Sequence, residues 1–277
     1  MLWFRRVVFC CLLISAAPSA LWGAETANDP SADKRPIRVA IYTVNQESDP
    51  ESYRLLRERD DLQVTYLRGF DIRDDRLNDF DVLFVPGGSG SKQAGLMEED
   101  GREKVRSFIR DGGGYMGICA GGYLATCHYD WGLKILDAET VDREHWARGK
   151  GAVEIELNDA GRSLLAADAD SVTIWYGNGP ILAPAHDDEI PDFEVLATYR
   201  TEVAKEGVAG GVMPNTPAAV RSTYGKGRVI VFSCHPDIPK PGLTTDGLRA
   251  WLPRMIYWAA ARPGPSEQPA AIETPAK

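Results

Sequence analysis

The sequence has few cysteines and histidines, the side chains that most often bind zinc and other transition metals in proteins. Its 277 residues include five cysteines and four histidines. No two cysteines are separated by two residues, as they are in many zinc sites. The His-Glu-x-x-His motif of zinc peptidases is also absent. We therefore expect the protein to bind neither a metal ion nor another cofactor.

Positive charge is also scarce. The chain carries 31 lysines and arginines against 40 aspartates and glutamates, which gives a net charge of −9. An acidic protein is repelled by phosphate backbones and by anionic lipid surfaces, so nucleic acid and membrane surfaces are excluded as partners. A small-molecule or peptide substrate remains the expected partner. The charge balance gives no information on the oligomeric state.

Long apolar runs are missing beyond the first residues of the chain. Residues 1–24 begin with a basic stretch that contains Arg5 and Arg6, continue with an apolar run over 7–17, and end in small residues. This pattern is typical of a secretory signal peptide. The alternative is an uncleaved anchor, because the apolar run is nearly long enough to cross a bilayer. We expect cleavage and a periplasmic or extracellular protein with no stable membrane partner.

Composition divides the rest of the chain into three parts. Residues 25–36 are polar, contain two prolines and predict a short linker. Residues 263–277 are rich in proline and alanine and predict a disordered tail. Between them, residues 37–262 contain no repeat and no second linker, so we expect a single domain.

Short apolar runs alternate with helical patterns in the first half of this domain. The predicted strands are 37–44, 62–67, 82–85 and 115–118, and the predicted helices are 50–59, 101–110 and 120–127. Such alternation indicates an α/β fold, with a parallel sheet between two layers of helices.

The second half is richer in strands. The candidates are 153–157, 172–175, 193–199, 218–223 and 228–232, followed by a helix over 244–261. The Gly-Lys-Gly sequence at 225–227 predicts a hairpin turn between the last two strands. The sheet is therefore expected to be mixed in this half.

The sequence Gly-Ile-Cys-Ala-Gly at 117–121 joins an apolar strand to a helical pattern. This G-x-C-x-G spacing is the thiol form of the nucleophile elbow, a sharp turn that strains the backbone at the reactive residue. The first amides of the helix face the sulfur of Cys119 and favour the thiolate, and the amide of Ala120 is placed to donate to an oxyanion. The alternative is a buried structural cysteine in a glycine-rich turn.

Two other segments follow apolar strands and therefore lie at the edge of the sheet where α/β ligand sites occur. One is the Pro-Gly-Gly sequence that ends with Gly87 and Gly88, whose amides could complete an oxyanion hole. The other is His-Pro-Asp, in which His235 can deprotonate a thiol and Asp237 can orient the imidazole. Taken alone, each segment could be an ordinary turn.

These three segments, in this order, resemble those of the class I glutamine amidotransferases. The resemblance implies a flavodoxin-like fold and a Cys-His-acid triad. It gives Cys119 the role of nucleophile, His235 that of base and Asp237 that of orienting acid, with Gly88 and Ala120 supplying oxyanion-hole amides. The family usually has glutamate at the third triad position, so Asp237 is one methylene shorter.

A closer resemblance is carried by the glycine-rich sequence at 112–125 and by Trp-Tyr-Gly-Asn-Gly-Pro at 175–180. These segments are similar to the biotin-protein ligase N-terminal domain family, and the resemblance covers roughly residues 37–260. Tyr176 and Asn178 either line a pocket beside Cys119 or simply end a strand in a turn. We expect no biotin ligation, because the ligase catalytic domain is absent from this sequence.

Three cysteines, Cys119, Cys127 and Cys234, remain after signal cleavage. An odd number leaves at least one free thiol in an oxidising compartment. We expect Cys127 and Cys234 to be buried as small apolar residues. Because Cys234 precedes the proposed base, it could also lie within disulfide reach of Cys119 and regulate it.

Together these features predict an exported, cysteine-dependent hydrolase or amidase that acts on an amide or related carbonyl. The substrate is not specified by the sequence. Glutamine-dependent amidotransfer is not expected, because no synthetase that receives ammonia is fused to the domain. The alternative is a non-catalytic ligand-binding or redox-sensing domain that retains the elbow.

Overall fold

A computed structural model of the chain describes residues 35–44, 53–238, 240, 243 and 249–264. The predicted signal peptide lies outside these residues, as do most of the predicted linker and most of the predicted tail. Within the described residues, no helix combines the length and apolar character that crossing a membrane requires.

Strands and helices alternate through the first half of the fold. Their order is β1 (Ile37–Tyr42), α1 (Arg54–Arg57), β2 (Leu62–Leu67), α2 (Gly69–Arg73), a 3₁₀ turn (Arg76–Asp79), β3 (Val82–Val85), α3 (Gly90–Arg110), β4 (Gly114–Ile118) and α4 (Ala120–Ala125).

The second half contains more strands. It consists of β5 (Ala138–Thr140), β6 (Lys150–Leu157), α5 (Asp159–Leu165), β7 (Ser171–Gly177), β8 (Leu182–Pro184), β9 (Glu194–Tyr199), β10 (Pro217–Tyr224), β11 (Gly227–Phe232) and α6 (Trp251–Ala259).

The main sheet has the strand order β2-β1-β3-β4-β11-β10-β9-β6-β7. Strands from β2 to β11 in this order pair in parallel, whereas those from β11 to β7 pair antiparallel. Strands β5 and β8 form a separate antiparallel pair. The expected flavodoxin-like α/β fold is confirmed, and so is the mixed sheet in its second half.

Two hydrophobic clusters cover the two faces of the sheet, as the alternation along β1 illustrates. Ile37, Val39 and Ile41 belong to one cluster, and Ala40 and Tyr42 belong to the other. The first cluster includes residues of α1, α5 and α6, and the second includes residues of α2, α3 and α4. The inner parallel strands β1, β3, β4 and β11 are therefore buried on both faces, which explains their nearly continuous apolar runs, whereas the edge strand β2 is partly exposed.

Helix α3 is twice as long as the helix predicted over 101–110, because it begins at Gly90. Its first half is rich in glycine and polar residues and lacks a clear apolar period. The Ser89 hydroxyl accepts from the amide of Lys92 and caps this helix start, a signal that sequence analysis missed. The backbone leaves helical geometry at Glu98, where φ is 59°, so the two halves are separated by a kink.

The prediction of a helix over 120–127 was too long at its end. Helix α4 ends at Ala125 because Thr126 is extended and its hydroxyl donates to the carbonyl of Tyr123. The sequence also gave no sign of α2, α5, β5 or β8, which are short elements. Among the described residues of the predicted 50–59 helix, only 54–57 are α-helical.

The parallel register determines which loops meet. Strand β4 lies between β3 and β11, with Val85 opposite Gly117 and Phe232 opposite Ile118. All three strands point the same way, so the segments that follow them emerge at one edge of the sheet. Those segments are the Pro-Gly-Gly turn, Cys119 and the His-Pro-Asp sequence.

Candidate active site

Cys119 occupies a strained turn between β4 and α4. Its φ and ψ are 51° and −100°, a conformation that side-chain-bearing residues rarely adopt and that costs about 1–3 kcal/mol. Its amide donates to the carbonyl of Phe232 over 2.8 Å, which fixes the turn to β11. The thiol is buried, with 5% of the residue exposed. This geometry matches the strained turn that the G-x-C-x-G spacing predicted.

Glycine allows the surrounding backbones to approach this turn. A Cβ atom on Gly121 would lie 2.1 Å from the carbonyl oxygen of Val85. A Cβ atom on Gly87 would lie 2.8 Å from Cε1 of His235 and 3.7 Å from Cβ of Cys119. The Pro-Gly-Gly turn therefore passes directly against both residues, and a larger side chain at Gly87 would displace the imidazole.

His235 follows β11 and is anchored through its backbone, because its amide donates to the carbonyl of Trp175 over 2.8 Å. Its Nδ1 atom is 3.0 Å from Oδ1 of Asp237, and both residues are buried. Its other ring nitrogen lies beside Gly177, where a Cβ atom would be 3.2 Å from Nε2. The sulfur of Cys119 lies 3.5 Å from the carbonyl oxygen of the same glycine. The structure thus brings Cys119, His235 and Asp237 together.

Three effects set the pKa of His235: one lowers it and two raise it. Burial lowers its pKa, but the hydrogen bond with Asp237 and the interaction with the Cys119 sulfur more than offset this effect and raise the pKa to about 10. The imidazole therefore retains its proton at neutral pH. A protonated imidazole beside Cys119 favours the thiolate, which is the nucleophilic form of cysteine.

Tyr53 also belongs to this cluster, although no sequence motif indicated its role. Its hydroxyl donates to Oδ2 of Asp237 over 2.9 Å, across a separation of 184 residues. Its ring packs edge-on against Phe84, with 5.0 Å between centroids. Because Tyr53 precedes α1 and has no motif around it, only the folded arrangement of β1, β3 and β11 reveals the contact.

The predicted oxyanion-hole amides lie on the two turns beside the sulfur. Ala120 is the first residue of α4, so its N–H has no acceptor within the helix. Gly87 and Gly88 line a cavity of about 140 Å³. Tyr53 and Lys92 also line this cavity. Their part in oxyanion binding stays a prediction.

Tyr176 and Asn178 turn their polar atoms toward the backbone. The hydroxyl of buried Tyr176 donates to the carbonyl of Gly179 over 2.8 Å. Asn178 has a positive φ of 61°, and its Oδ1 accepts from the amide of Gly149 over 2.8 Å. These contacts support the interpretation as a turn that ends a strand. A binding role for the two residues stays a prediction.

The surroundings of the other two described cysteines, Cys127 and Cys234, disfavour the thiolate form. Cys119, Cys127 and Cys234 are all free thiols, so the structure contains no bridge between Cys119 and Cys234. Burial raises the pKa of Cys234 to about 12 and also raises the pKa of Cys127. Both thiols are therefore poor nucleophiles, whereas Cys119 has a protonated imidazole beside it.

Two observations concern the described residues away from Cys119. A second cavity of about 430 Å³ lies between α5, β10 and α6, and its lining contains no cysteine or histidine. In the part of the chain that the structure describes, no cluster of three or more histidine, cysteine or acidic residues could hold a metal ion.

The comparison with protein families decides where this chain belongs. The sequence profile "Biotin-protein ligase, N terminal" matches residues 76–250, more than half of the chain and the segment that contains Cys119, His235 and Asp237. The chain belongs to the biotin-protein ligase N-terminal family.

Two relatives of this chain have different printed functions. It is 30% identical to the pyridoxal 5'-phosphate synthase subunit PdxT of Mycolicibacterium vanbaalenii over 170 residues, which are 59% of this chain and 74% of that protein. It is 23% identical to the biotin–protein ligase of Schizosaccharomyces pombe over 177 residues, or 58% of this chain. The matched part spans only 26% of that ligase.

Solved structures of similar fold identify the fold class of this chain. PurLQS from Thermotoga maritima superposes with a TM-score of 0.55 at 16% identity, covering 80% of this chain and 99% of that one. A glutamine amidotransferase superposes with a TM-score of 0.53 at 18% identity, covering 80% and 98%. This biotin-protein ligase N-terminal family member therefore has a class I glutamine amidotransferase-like fold.

The charge on His235 can be tested by nuclear magnetic resonance. In the folded protein we expect the His235 ring to remain protonated through pH 8 and to titrate near pH 10, because Asp237 and Cys119 hold its proton. Asp237→Asn removes one of the two partners that raise the pKa and leaves the burial, so the midpoint should fall below that of the wild type. The His235 signals can be assigned by their loss in His235→Gln. A wild-type midpoint near the usual histidine value of about 6.5 would contradict the ion pair.

Proposed function

We propose that this protein is an exported cysteine-dependent amidase or hydrolase, which attacks an amide or related carbonyl through Cys119, His235 and Asp237. The observation that carries the proposal is the strained, buried Cys119 beside a protonated His235 that is held by Asp237. Strain of this kind persists only where the surrounding structure maintains it, and it is concentrated at functional sites.

In the first half of the proposed reaction, the Cys119 thiolate attacks the carbonyl carbon and a C–S bond forms. The negative charge moves to the carbonyl oxygen, where the amides of Gly88 and Ala120 stabilise it. When the C–N bond breaks, His235 transfers its Nε2 proton to the departing amine. The products of this half are an amine and a thioester on Cys119.

In the second half, neutral His235 takes a proton from a water molecule as the water attacks the thioester carbon. The C–S bond breaks, the acid product leaves and the thiolate is restored beside a protonated imidazole. Asp237 keeps Nδ1 protonated throughout, so Nε2 exchanges the proton in both halves. The triad thus returns to its starting charge state.

The relatives support the reaction class and suggest a partner. The fold resembles that of a protein named as a glutamine amidotransferase, and a closer relative is named as a subunit of pyridoxal 5'-phosphate synthase. Amide hydrolysis is consistent with these relatives. Because PdxT is named as a subunit, we propose that this chain also works with a protein partner, while its substrate is a small molecule or a peptide.

The proposal can be tested with two reagents on the purified protein. A chloroacetamide probe should label Cys119, and an activated anilide or ester should form an acyl group on Cys119 that disappears with time, as followed by intact-protein mass spectrometry. His235→Ala should slow acylation by about 100-fold, because it removes the proton carrier. Cys127→Ser is the matched control and should behave like the wild type.

These experiments distinguish a hydrolase from a non-catalytic ligand-binding or redox-sensing domain. Absence of labelling at Cys119, or equal acylation of His235→Ala, would overturn the hydrolase proposal. Labelling without acyl turnover would instead favour a ligand-binding domain. A Cys119–Cys234 disulfide that forms under mild oxidation would favour redox sensing, although the burial of Cys234 opposes it.

Export rests on the signal-like sequence of residues 1–24. When the full chain is produced with a carboxyl-terminal tag in a bacterial host that has a periplasm, we expect a tagged species that lacks these residues outside the cytoplasm. Mass spectrometry of the mature amino terminus would locate the cleavage. Full-length protein in the membrane fraction would favour the anchor alternative, and full-length protein in the cytoplasm would contradict export.

A further inference from the structure

We propose that Tyr53 is a positioning residue of the active site, which acts on the chemistry by fixing the carboxylate of Asp237 against His235. The inference rests on the proposed function, because it concerns the same Cys119, His235 and Asp237. The feature that points to it is the carboxylate itself, whose two oxygens have different partners on different elements of the fold.

Asp237 is held from both sides. Its Oδ1 atom is 3.0 Å from Nδ1 of His235, and its Oδ2 atom accepts from the Tyr53 hydroxyl at 2.9 Å. Asp237 and Tyr53 are only 3% and 4% exposed, so water has little access to replace either bond. A carboxylate held at one oxygen can still turn about its last side-chain torsion, which is broad. The second bond fixes its plane.

Tyr53 is itself rigidly placed. Its ring contacts Phe84 at an interplanar angle of 81°, and Phe84 belongs to β3, the strand next to β4. Tyr53 therefore links the amino-terminal side of the fold to the loop after β11. The packing on Phe84 positions the Tyr53 hydroxyl, and the hydrogen bond from this hydroxyl positions the carboxylate of Asp237.

The hydroxyl acts only as a donor. Burial raises the pKa of Tyr53 well above its usual value, and the negative charge of Asp237 raises it further. The other titratable groups that act on Tyr53 are Tyr66 and Cys119, and both also raise its pKa. Tyr53 therefore keeps its proton over the working pH range and does not compete with His235 as a base.

Loss of the hydroxyl has a specific consequence for the site. The buried Oδ2 atom of Asp237 would lose its donor, and an unsatisfied buried carboxylate oxygen is costly. The carboxylate would turn to find another donor, and Nδ1 of His235 would be held less firmly. The thiolate of Cys119 would then be less stabilised, although no atom of Tyr53 takes part in a bond-making step.

The test is the pH dependence of Cys119 alkylation by chloroacetamide in Tyr53→Phe. This variant keeps the ring that packs on Phe84, so the fold should be retained, as circular dichroism can verify. The rate of alkylation at neutral pH should fall by about three- to tenfold, and the pH profile should differ from that of the wild type, because Asp237 holds His235 less firmly. Asp237→Asn should lower the rate at neutral pH further.

The double variant Tyr53→Phe/Asp237→Asn tests whether Tyr53 influences Cys119 through Asp237. If Tyr53 acts through Asp237, the double variant should have the same profile as Asp237→Asn alone. The matched control is Tyr257→Phe, which removes a tyrosine hydroxyl that donates to Asp61 over 2.6 Å, away from the site. Its profile should match the wild type.

An unchanged rate and profile in Tyr53→Phe, or losses of rate that add in the double variant, would overturn the positioning role. The results distinguish a failure of the hydrolase proposal from a failure of the proposed role of Tyr53. If wild-type Cys119 does not react, or reacts independently of His235, the hydrolase proposal fails and the role of Tyr53 fails with it. If wild-type Cys119 depends on His235 but Tyr53→Phe is unaffected, only the role of Tyr53 is wrong.

Discussion

The parallel pairing of β4 with β3 on one side and β11 on the other is the constraint on which the site depends. Cys119 leaves the end of β4, the Pro-Gly-Gly turn leaves β3, and His235 leaves β11. A slip of one residue in either pairing would reverse the faces of the side chains. The glycines at 87 and 121 allow the loops to touch, and the surrounding packing offsets the strain at Cys119, about 1–3 kcal/mol. Fold and reactivity are therefore coupled at this edge.

The charged groups at this edge of the sheet determine the protonation state of His235. His235 is buried, which alone would lower its pKa, yet the carboxylate of Asp237 and the sulfur of Cys119 keep it protonated. The carboxylate is fully partnered in turn, because its second oxygen accepts from Tyr53. Cys234 lies next to His235 in the chain but is buried without this partner, and its pKa is raised to about 12. The two thiols thus lie in different electrostatic surroundings.

Sequence reasoning located the parts of the site that follow strands. Apolar runs at 82–85, 115–118 and 228–232 coincide closely with β3, β4 and β11, so Gly87, Cys119 and His235 could be expected at one edge. Tyr53 could not be found in this way, because its contact with Asp237 spans 184 residues and no motif surrounds it. The first half of α3 was missed because glycine and polar residues obscure its period. The two possibilities for Tyr176 and Asn178 could be compared only through their backbone contacts.

The class I glutamine amidotransferase-like fold and the family membership are consistent with amide chemistry, and the central claim is that Cys119 is a thiolate paired with a protonated His235. The most direct measurement is the ultraviolet absorbance of the thiolate near 240 nm, taken as the difference between the wild type and Cys119→Ser while the pH is raised. We expect the difference absorbance to be present at neutral pH, because the protonated His235 beside the sulfur stabilises the negative charge. No difference absorbance at neutral pH would contradict the account.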